Sequence, residues 1–434
     1  MNEKHTIQIH GIGSALQGVG RLSDGRAAFV PGAIPGETVE IEIATDTGRF
    51  VVADLKEVHE RAPERCEPFC PHFGKCGGCA AQHMNYAATL KHKQTVVQDA
   101  LRRIGGQREI EALPAIGMEE PLYYRNKVEY AVAPDGSLGF SMAGSHAVVP
   151  AVECPLAENA ILPVAKAVEN WLKTEGKGSR LRYVVVRSTK AGEVMLVLSG
   201  ERISGEAELY AVLPESVRSV HFCHLKFRPA HALDGETRHL CGEKTLVEEL
   251  AGMRFSLSAQ SFFQVNRSQC EKLLAKAVEF ATAGQKGALA ADVYCGVGTL
   301  SLAMAKSPEI GKVLGFEIVP QAIADAKANA KANSLAKKTA FFAGDAALTL
   351  PKEIRGRELC AAIIDPPRKG AAPEVLRALM ASKPQRICYV SCNPATLARD
   401  IAILAEQYSV EIVQPVDMFP WTEHVETVVL LSRK

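Results

Sequence analysis

The sequence predicts a three-part chain: a small β-barrel of OB type over residues 1–62, a central α+β domain over 63–255, and a doubly wound, Rossmann-like α/β domain over 256–434. Three observations carry this reading. Strand-like and helix-like segments alternate from about residue 288, as a parallel sheet with crossover helices requires. Residues 6–60 hold short alternating runs punctuated by Gly11, Gly13, Gly18, Gly20 and Gly25, the pattern of a barrel of short strands. Between these regions lies a loop dense in cysteine, followed by mixed helix and strand patterns.

The bulk composition bounds the rest. A chain of 434 residues is long enough for several domains, and 47% hydrophobic with 23% charged residues is ordinary for a soluble globular protein. The net charge of +1 gives no global field towards nucleic acid, so any such surface must be a local patch. No apolar run approaches a membrane span, and Met1 to His5 lacks the apolar core of a signal peptide. Twelve cysteines in such a chain point to metal, cluster or catalytic thiols in a reducing cytoplasm. A cytoplasmic monomer with neither a membrane nor an obligate protein partner is expected.

In the barrel, Thr6-Ile7-Gln8-Ile9 and Glu37-Thr38-Val39-Glu40-Ile41-Glu42-Ile43 alternate, and Arg49 to Leu55 supplies a further strand. Gly18-Val19-Gly20-Arg21, with Pro31-Gly32-Ala33-Ile34-Pro35-Gly36-Glu37, resembles the TRAM domain, an RNA-binding barrel; the alternative is a small structural domain. Ala62-Pro63-Glu64-Arg65 reads as the linker.

Cys70, Cys76 and Cys79 share one loop whose glycines, Gly74, Gly77 and Gly78, let three thiolates converge. A fourth ligand is needed: Cys154, followed by Pro155, is the candidate and Cys66 the competitor. Four thiolates suit a [4Fe–4S] cluster or a structural zinc, but zinc sites favour paired short knuckles and the second knuckle is absent. Radical chemistry with a C-x3-C-x2-C motif is disfavoured, because Cys66 and Cys70 would put the third ligand at Phe73.

A helix around 85–120 is expected from Leu90, Val97, Leu101 and Ile104, with the C-terminal domain as a packing partner. Its basic flank, with Lys91, Lys93, Arg102 and Arg103, is as readily a solvated face as an RNA contact. Tyr123 to Tyr130 interleaves aromatic and basic residues, suited to RNA stacking or to a half-buried strand. Leu181–Arg187 and Val194–Leu198 read as antiparallel strands.

In the C-terminal domain, Ala290 to Tyr294 is the first strand, opening through Cys295-Gly296-Val297-Gly298-Thr299 into a helix. The third glycine of a dinucleotide fingerprint is missing. Val313 to Phe316 ends at Glu317, where a carboxylate suits a ribose diol. Thr339 to Ala343 ends at Gly344-Asp345, and Ala361 to Ile364 ends at Asp365-Pro366-Pro367. Acidic residues at or near four strand ends, Asp292, Glu317, Asp345 and Asp365, suit S-adenosylmethionine better than a nicotinamide dinucleotide. Ile387 to Val390 reads as a buried parallel strand that delivers Cys392 to its C-terminal end, where ligands of open α/β sheets bind. By itself Cys392 would be a small buried apolar side chain.

Phe262-Phe263-Gln264-Val265-Asn266, Asp292 to Gly298, Asp365-Pro366-Pro367-Arg368, Ser391-Cys392-Asn393-Pro394 and His424-Val425-Glu426 together resemble the RNA (uracil-5-)-methyltransferases. The barrel and the cysteine set resemble the branch that modifies 23S ribosomal RNA, whereas the tRNA branch generally lacks both. The resemblance implies a nucleophile at Cys392 and a base at Glu426. It implies contacts to S-adenosylmethionine from Gln264, Tyr294, Thr299, Glu317, Asp345 and Asp365, Thr299 standing where some relatives carry asparagine. It also implies a [4Fe–4S] cluster on Cys70, Cys76, Cys79 and Cys154, with no counterpart for Cys66. The implied partner is RNA, 23S ribosomal RNA first and tRNA second. A catalytically inactive iron–sulfur RNA-binding protein is the alternative from a different class; intact Cys392 and Glu426 argue against it.

Overall fold

The computed structural model describes residues 4–285 and 288–434. Five strands, β1 (Lys4–Ile12), β2 (Gly18–Arg21), β3 (Ala27–Val30), β4 (Thr38–Asp46) and β5 (Phe50–Glu60), close a barrel in the order β1-β2-β3-β5-β4. Alternation builds it: Ile7, Ile9, Val39, Ile41, Val51 and Ala53 all point into one apolar interior.

Helix α1 (Tyr86–Arg103) is shorter than the 85–120 expected. Its start is capped by Asn85, whose side chain accepts from the Ala88 amide at 2.9 Å. Its end is forced by Gly105-Gly106, and the stretch to Asn126 is irregular, interrupted by Pro114 and Pro121.

The central sheet contains β6 (Lys127–Val132), β7 (Leu138–Ser141), β8 (Val148–Pro150), β9 (Arg180–Ser188), β10 (Val194–Arg202), β11 (Val217–Leu225) and β12 (Gly235–Gly242), in the order β12-β11-β10-β9-β6-β7-β8. Helices α2 (Ile161–Lys173) and α3 (Glu206–Val212) cover one face. The other face is covered by Ala232 and Leu233 of the β11–β12 loop, and by Leu246 and Ala259 around the hairpin β13 (Leu246–Leu250) and β14 (Met253–Leu257).

After α4 (Arg267–Thr282) the doubly wound unit follows: β15 (Ala288–Val293), α5 (Thr299–Lys306), β16 (Ile310–Glu317), α6 (Pro320–Ala332), β17 (Thr339–Ala343), α7 (Ala346–Glu353), β18 (Leu359–Ile364), α8 (Pro373–Ala381), β19 (Arg386–Ser391), α9 (Pro394–Leu404), β20 (Tyr408–Val416) and β21 (Glu426–Arg433). The strand order is β17-β16-β15-β18-β19-β21-β20, with β21 antiparallel to both neighbours. Both sheet faces are buried, so each strand splits its side chains between two cores. Ala361, Ile363, Cys388 and Val390 face α4, α5 and α6. Ala362, Ile364, Ile387 and Tyr389 face α1, α7, α8 and α9. The order reverses between β15 and β18, which opens a crevice at their carboxyl ends.

Candidate active site

The crevice is lined first by the β15–α5 turn. Tyr294, Gly296 and Gly298 all have positive φ (+66°, +52° and +88°), so the chain turns sharply and exposes its backbone at the start of α5. A Cβ on Gly298 would stand 3.2 Å from Ala326 and 3.3 Å from Phe341, so only glycine lets the turn lie against α6 and β17. Thr299 is the first residue of α5. Glu317 ends β16, and its carboxylate accepts from the Gly296 amide at 3.3 Å and the Val319 amide at 2.9 Å. Asp345 is exposed and caps α7, accepting from the Ala347 amide at 2.9 Å. Asp292, next to last in β15, differs from the other three in its surroundings. It lies within β15, fully buried, and accepts from the Ser301 hydroxyl at 2.5 Å, so it pins α5 to the strand. Gln264 lies in the segment before α4, where its carbonyl accepts from the Asn126 side chain at 3.1 Å. Asn266 then donates to the Met418 carbonyl at 3.1 Å and ties that segment to the chain leading to Glu426.

A second cluster adjoins the crevice. In the β19–β21 pairing Ser391 stands opposite Thr427, and one further step of that register sets Cys392 opposite Glu426. Asp365 follows directly on β18, the neighbour of β19. Asn393 caps α9 by accepting from the Ala395 amide at 3.0 Å, and its Nδ2 donates to the Arg368 carbonyl at 3.1 Å. The Thr396 hydroxyl donates to the same carbonyl at 3.3 Å. The loop after Asp365 is thereby fastened to the turn that carries Cys392. An Arg368 Nη2 lies 2.9 Å from His424 Nδ1; with the arginine donating, the imidazole is neutral and carries its proton on Nε2.

Burial governs the charges here. It pushes Glu426 up to about 8, with Asp365 adding and Arg368 opposing. It raises Asp365 to about 7, with Asp292 adding. It raises the Cys392 thiol to about 11, with Glu426 and Asp365 adding and Arg368 drawing it down. The arrangement is a thiol flanked by two carboxyls that exchange protons near neutral pH, with one guanidinium favouring their anions. Arg368, His424 and Asn393 carry no assigned role in the sequence reading, although all three lie in its motifs. Their meeting joins residues 56 positions apart, which no local pattern discloses.

Cys70, Cys76, Cys79 and Cys154 lie within electrostatic reach of one another in pairs. Burial raises Cys79 to about 12, with Cys154 and Cys76 near enough to add to it. Cys70 likewise adds to the shifts of Cys76 and Cys154, whereas Cys66 responds to Glu67 and Arg65 instead. All four thiols are free. Among the described residues no group of three or more Cys, His, Asp or Glu is arranged to hold a metal ion. The donor type and number nonetheless suit a four-thiolate centre, in a wall formed with Tyr124, Leu156 and Trp421. The loop also holds the chain that leads to His424 and Glu426: the amides of Ala80 and Ala81 donate to the Trp421 carbonyl at 2.8 and 3.1 Å.

Among the described residues no helix is long and apolar enough to cross a membrane. A family model described as tRNA (Uracil-5-)-methyltransferase matches residues 242–434, and one described as the TRAM domain matches residues 2–56. An "Uncharacterized RNA methyltransferase" of Caldanaerobacter subterraneus is 38% identical over 100% of this chain and 99% of its own. Another of the same description, from Clostridium acetobutylicum, is 35% identical over 100% and 97%. The solved tRNA (uracil-54, C5)-methyltransferase of Pyrococcus abyssi, in complex with S-adenosyl-L-homocysteine, is 26% identical with a TM-score of 0.78, over 99% of this chain and 100% of that one. With its TRAM barrel, crevice and full-length relatives, the chain belongs to the RNA (uracil-5-)-methyltransferase family.

Proposed function

We propose that the enzyme transfers a methyl group from S-adenosylmethionine to C5 of a uridine in 23S ribosomal RNA, with Cys392 as nucleophile and Glu426 as base. The observation that supports it is the juxtaposition of a thiol and a buried carboxyl across β19 and β21, beside the crevice. S-adenosylmethionine supplies an electrophilic methyl group, and Gln264, Tyr294, Thr299, Glu317, Asp345 and Asp365 are assigned to hold it.

Uracil C5 is a poor nucleophile, and the chain's residues change that. Cys392 Sγ, as the thiolate, bonds to C6 of the ring; the C5–C6 π electrons move towards C5 and O4. C5 then takes the methyl group. The Glu426 carboxylate removes the remaining C5 proton, the double bond re-forms and the Sγ–C6 bond breaks. Arg368 favours the thiolate against the opposing carboxyls. The uracil must leave any stack to expose C6, which favours loop or bulged uridines.

Cys70, Cys76, Cys79 and Cys154 are assigned to a [4Fe–4S] cluster that takes no part in these steps and braces the chain around Trp421. Iron and sulfide assay of protein isolated without oxygen tests it: about four irons per chain are expected, and loss of iron in Cys154→Ser.

A tRNA acceptor is the second reading, favoured by the end-to-end similarity to a protein named for tRNA uracil-54. The experiment is incubation with S-adenosylmethionine and 5-fluorouracil-substituted 23S fragments or tRNA. Fluorine at C5 does not leave as a proton, so the Cys392 adduct survives denaturation. An adduct with the 23S fragment alone upholds the reading, one with tRNA alone moves the substrate, and none with either overturns the chemistry.

A further inference from the structure

The loop Lys226–Asp234, joining β11 to β12, displays a ring the mechanism does not use. Phe227 is 92% exposed, while Ala232 and Leu233 of the same loop are buried on the central sheet. Arg228 has φ +65°, a left-handed backbone that a non-glycine residue adopts at a cost, and its guanidinium lies over the Phe227 ring at 5.6 Å. The loop is built, not slack. The Gln260 amide donates to the Leu233 carbonyl at 3.1 Å and the Gly235 carbonyl at 2.9 Å, and Lys226 pairs with Asp234 at 2.7 Å. Gln260 is also two residues from Phe262, itself 77% exposed, and four from Gln264, in the segment that leads into α4. One hydrogen-bonded surface therefore joins the loop to that segment.

We propose that Phe227 is a stacking platform for an unpaired base of the RNA substrate outside the target uridine, with Arg228 neutralising the adjoining phosphate. The loop's charge fits a polyanion, since Lys226 and Arg228 stand against Asp234 alone. A flat, solvated aromatic face beside an arginine accepts any base, because every base has a π face. This rests on the RNA-methylating function above and adds a specific surface to it. A platform away from the reacting atoms contributes to holding RNA and not to the chemical step.

The test compares wild type with Phe227→Ala, Phe227→Trp and Arg228→Ala, by fluorescence anisotropy on labelled 23S fragments and tRNA and by steady-state methylation. An exposed side chain that fills no core leaves folding intact, which thermal melting checks. Phe227→Ala should weaken RNA binding and raise KM for RNA by about tenfold, with kcat within about twofold, and tryptophan should restore both. Arg228→Ala should weaken binding and flatten its salt dependence. Unchanged RNA affinity in Phe227→Ala, or a kcat loss without a binding loss, would overturn the proposal. If the wild type binds RNA but forms no C5-methylated product, the function falls, while the anisotropy comparison still decides the role of Phe227.

Discussion

Burial holds the Glu426 carboxyl near a pKa of about 8, well above the 4.5 of an unperturbed glutamic acid, and the sign of that shift sets two opposite responses to pH. For stability, the folded chain holds this proton more tightly than the unfolded one. The contribution is full below the unfolded value, declines as pH rises and is lost once pH passes about 8. Glu426→Gln removes the charge but not the shape, so it should melt close to wild type near pH 5 and about a few degrees higher at pH 9. For catalysis the order reverses, because only the carboxylate accepts the C5 proton. Because that step follows methyl transfer, the wild-type kcat should climb with pH towards about 8. Glu426→Gln should slow product release by about 100-fold or more and let the methylated adduct accumulate. Cys392→Ala should abolish adduct and turnover together on denaturing gels and methyl-transfer assays; retained turnover would remove the thiol from the reaction. The thiol and the carboxyl were legible in the sequence as members of motifs. Their mutual placement was not, because it depends on a register between strands that carry no charge pattern of their own. Asp292 shows the same limit: its place near the end of the first strand was legible, but its bond to Ser301 on α5 was not.

At the scale of elements, Asn393 connects two loops through opposite ends of one amide. Its oxygen caps α9 and its nitrogen holds the Arg368 carbonyl. Asn393→Ala loses both, and should cost about 1 kcal/mol of stability in urea titration along with most of the methylation rate. Asn393→Asp keeps the capping oxygen and loses the donor. It should unfold near wild type yet methylate about tenfold more slowly, since the Arg368 carbonyl is then held by the Thr396 hydroxyl alone. Equal rates in Asn393→Asp and wild type would show that the tie to Arg368 is idle. The parallel strands were readable because burial on both faces makes them continuous apolar runs, and the barrel because one buried face makes its strands alternate. The pairing of β21 between β19 and β20 was not readable, since an antiparallel strand buried on both faces has the same composition as a parallel one. The length of α1 was overestimated: the apolar positions that predicted it, Leu90 to Ile104, stop just before the Gly105-Gly106 pair that ends the helix.

Across the whole molecule, the segment from Asp417 to Glu426 is held from three sides. From α1, Lys93 reaches Asp417 at 2.5 Å with both side chains fully buried, and Tyr86 donates to the same carboxylate at 2.8 Å. Removing one charge strands the other, so Lys93→Met should cost roughly 3–5 kcal/mol, and the double variant Lys93→Met/Asp417→Leu should recover much of it in urea titration. From the stretch before β6, the Tyr124 hydroxyl donates to the Pro420 carbonyl at 3.0 Å. From the cysteine loop, Ala80 and Ala81 hold the Trp421 carbonyl, and Trp421 packs close to Cys79 and Cys154. The chain then runs from Trp421 through His424 to Glu426, so slack at the cysteines is passed to the base. With only two tryptophans in the sequence, Trp171→Phe leaves Trp421 as the sole reporter of this turn. In that background Cys79→Ser should shift Trp421 emission to longer wavelength as water enters. It should also prolong the methylated adduct while the rate of adduct formation changes less, because the thiol directly follows β19 whereas the base opens β21, directly after the loosened turn. A cysteine variant that forms and resolves the adduct at wild-type rates, with Trp421 emission unmoved, would show that the cysteine loop is not what holds the base in place.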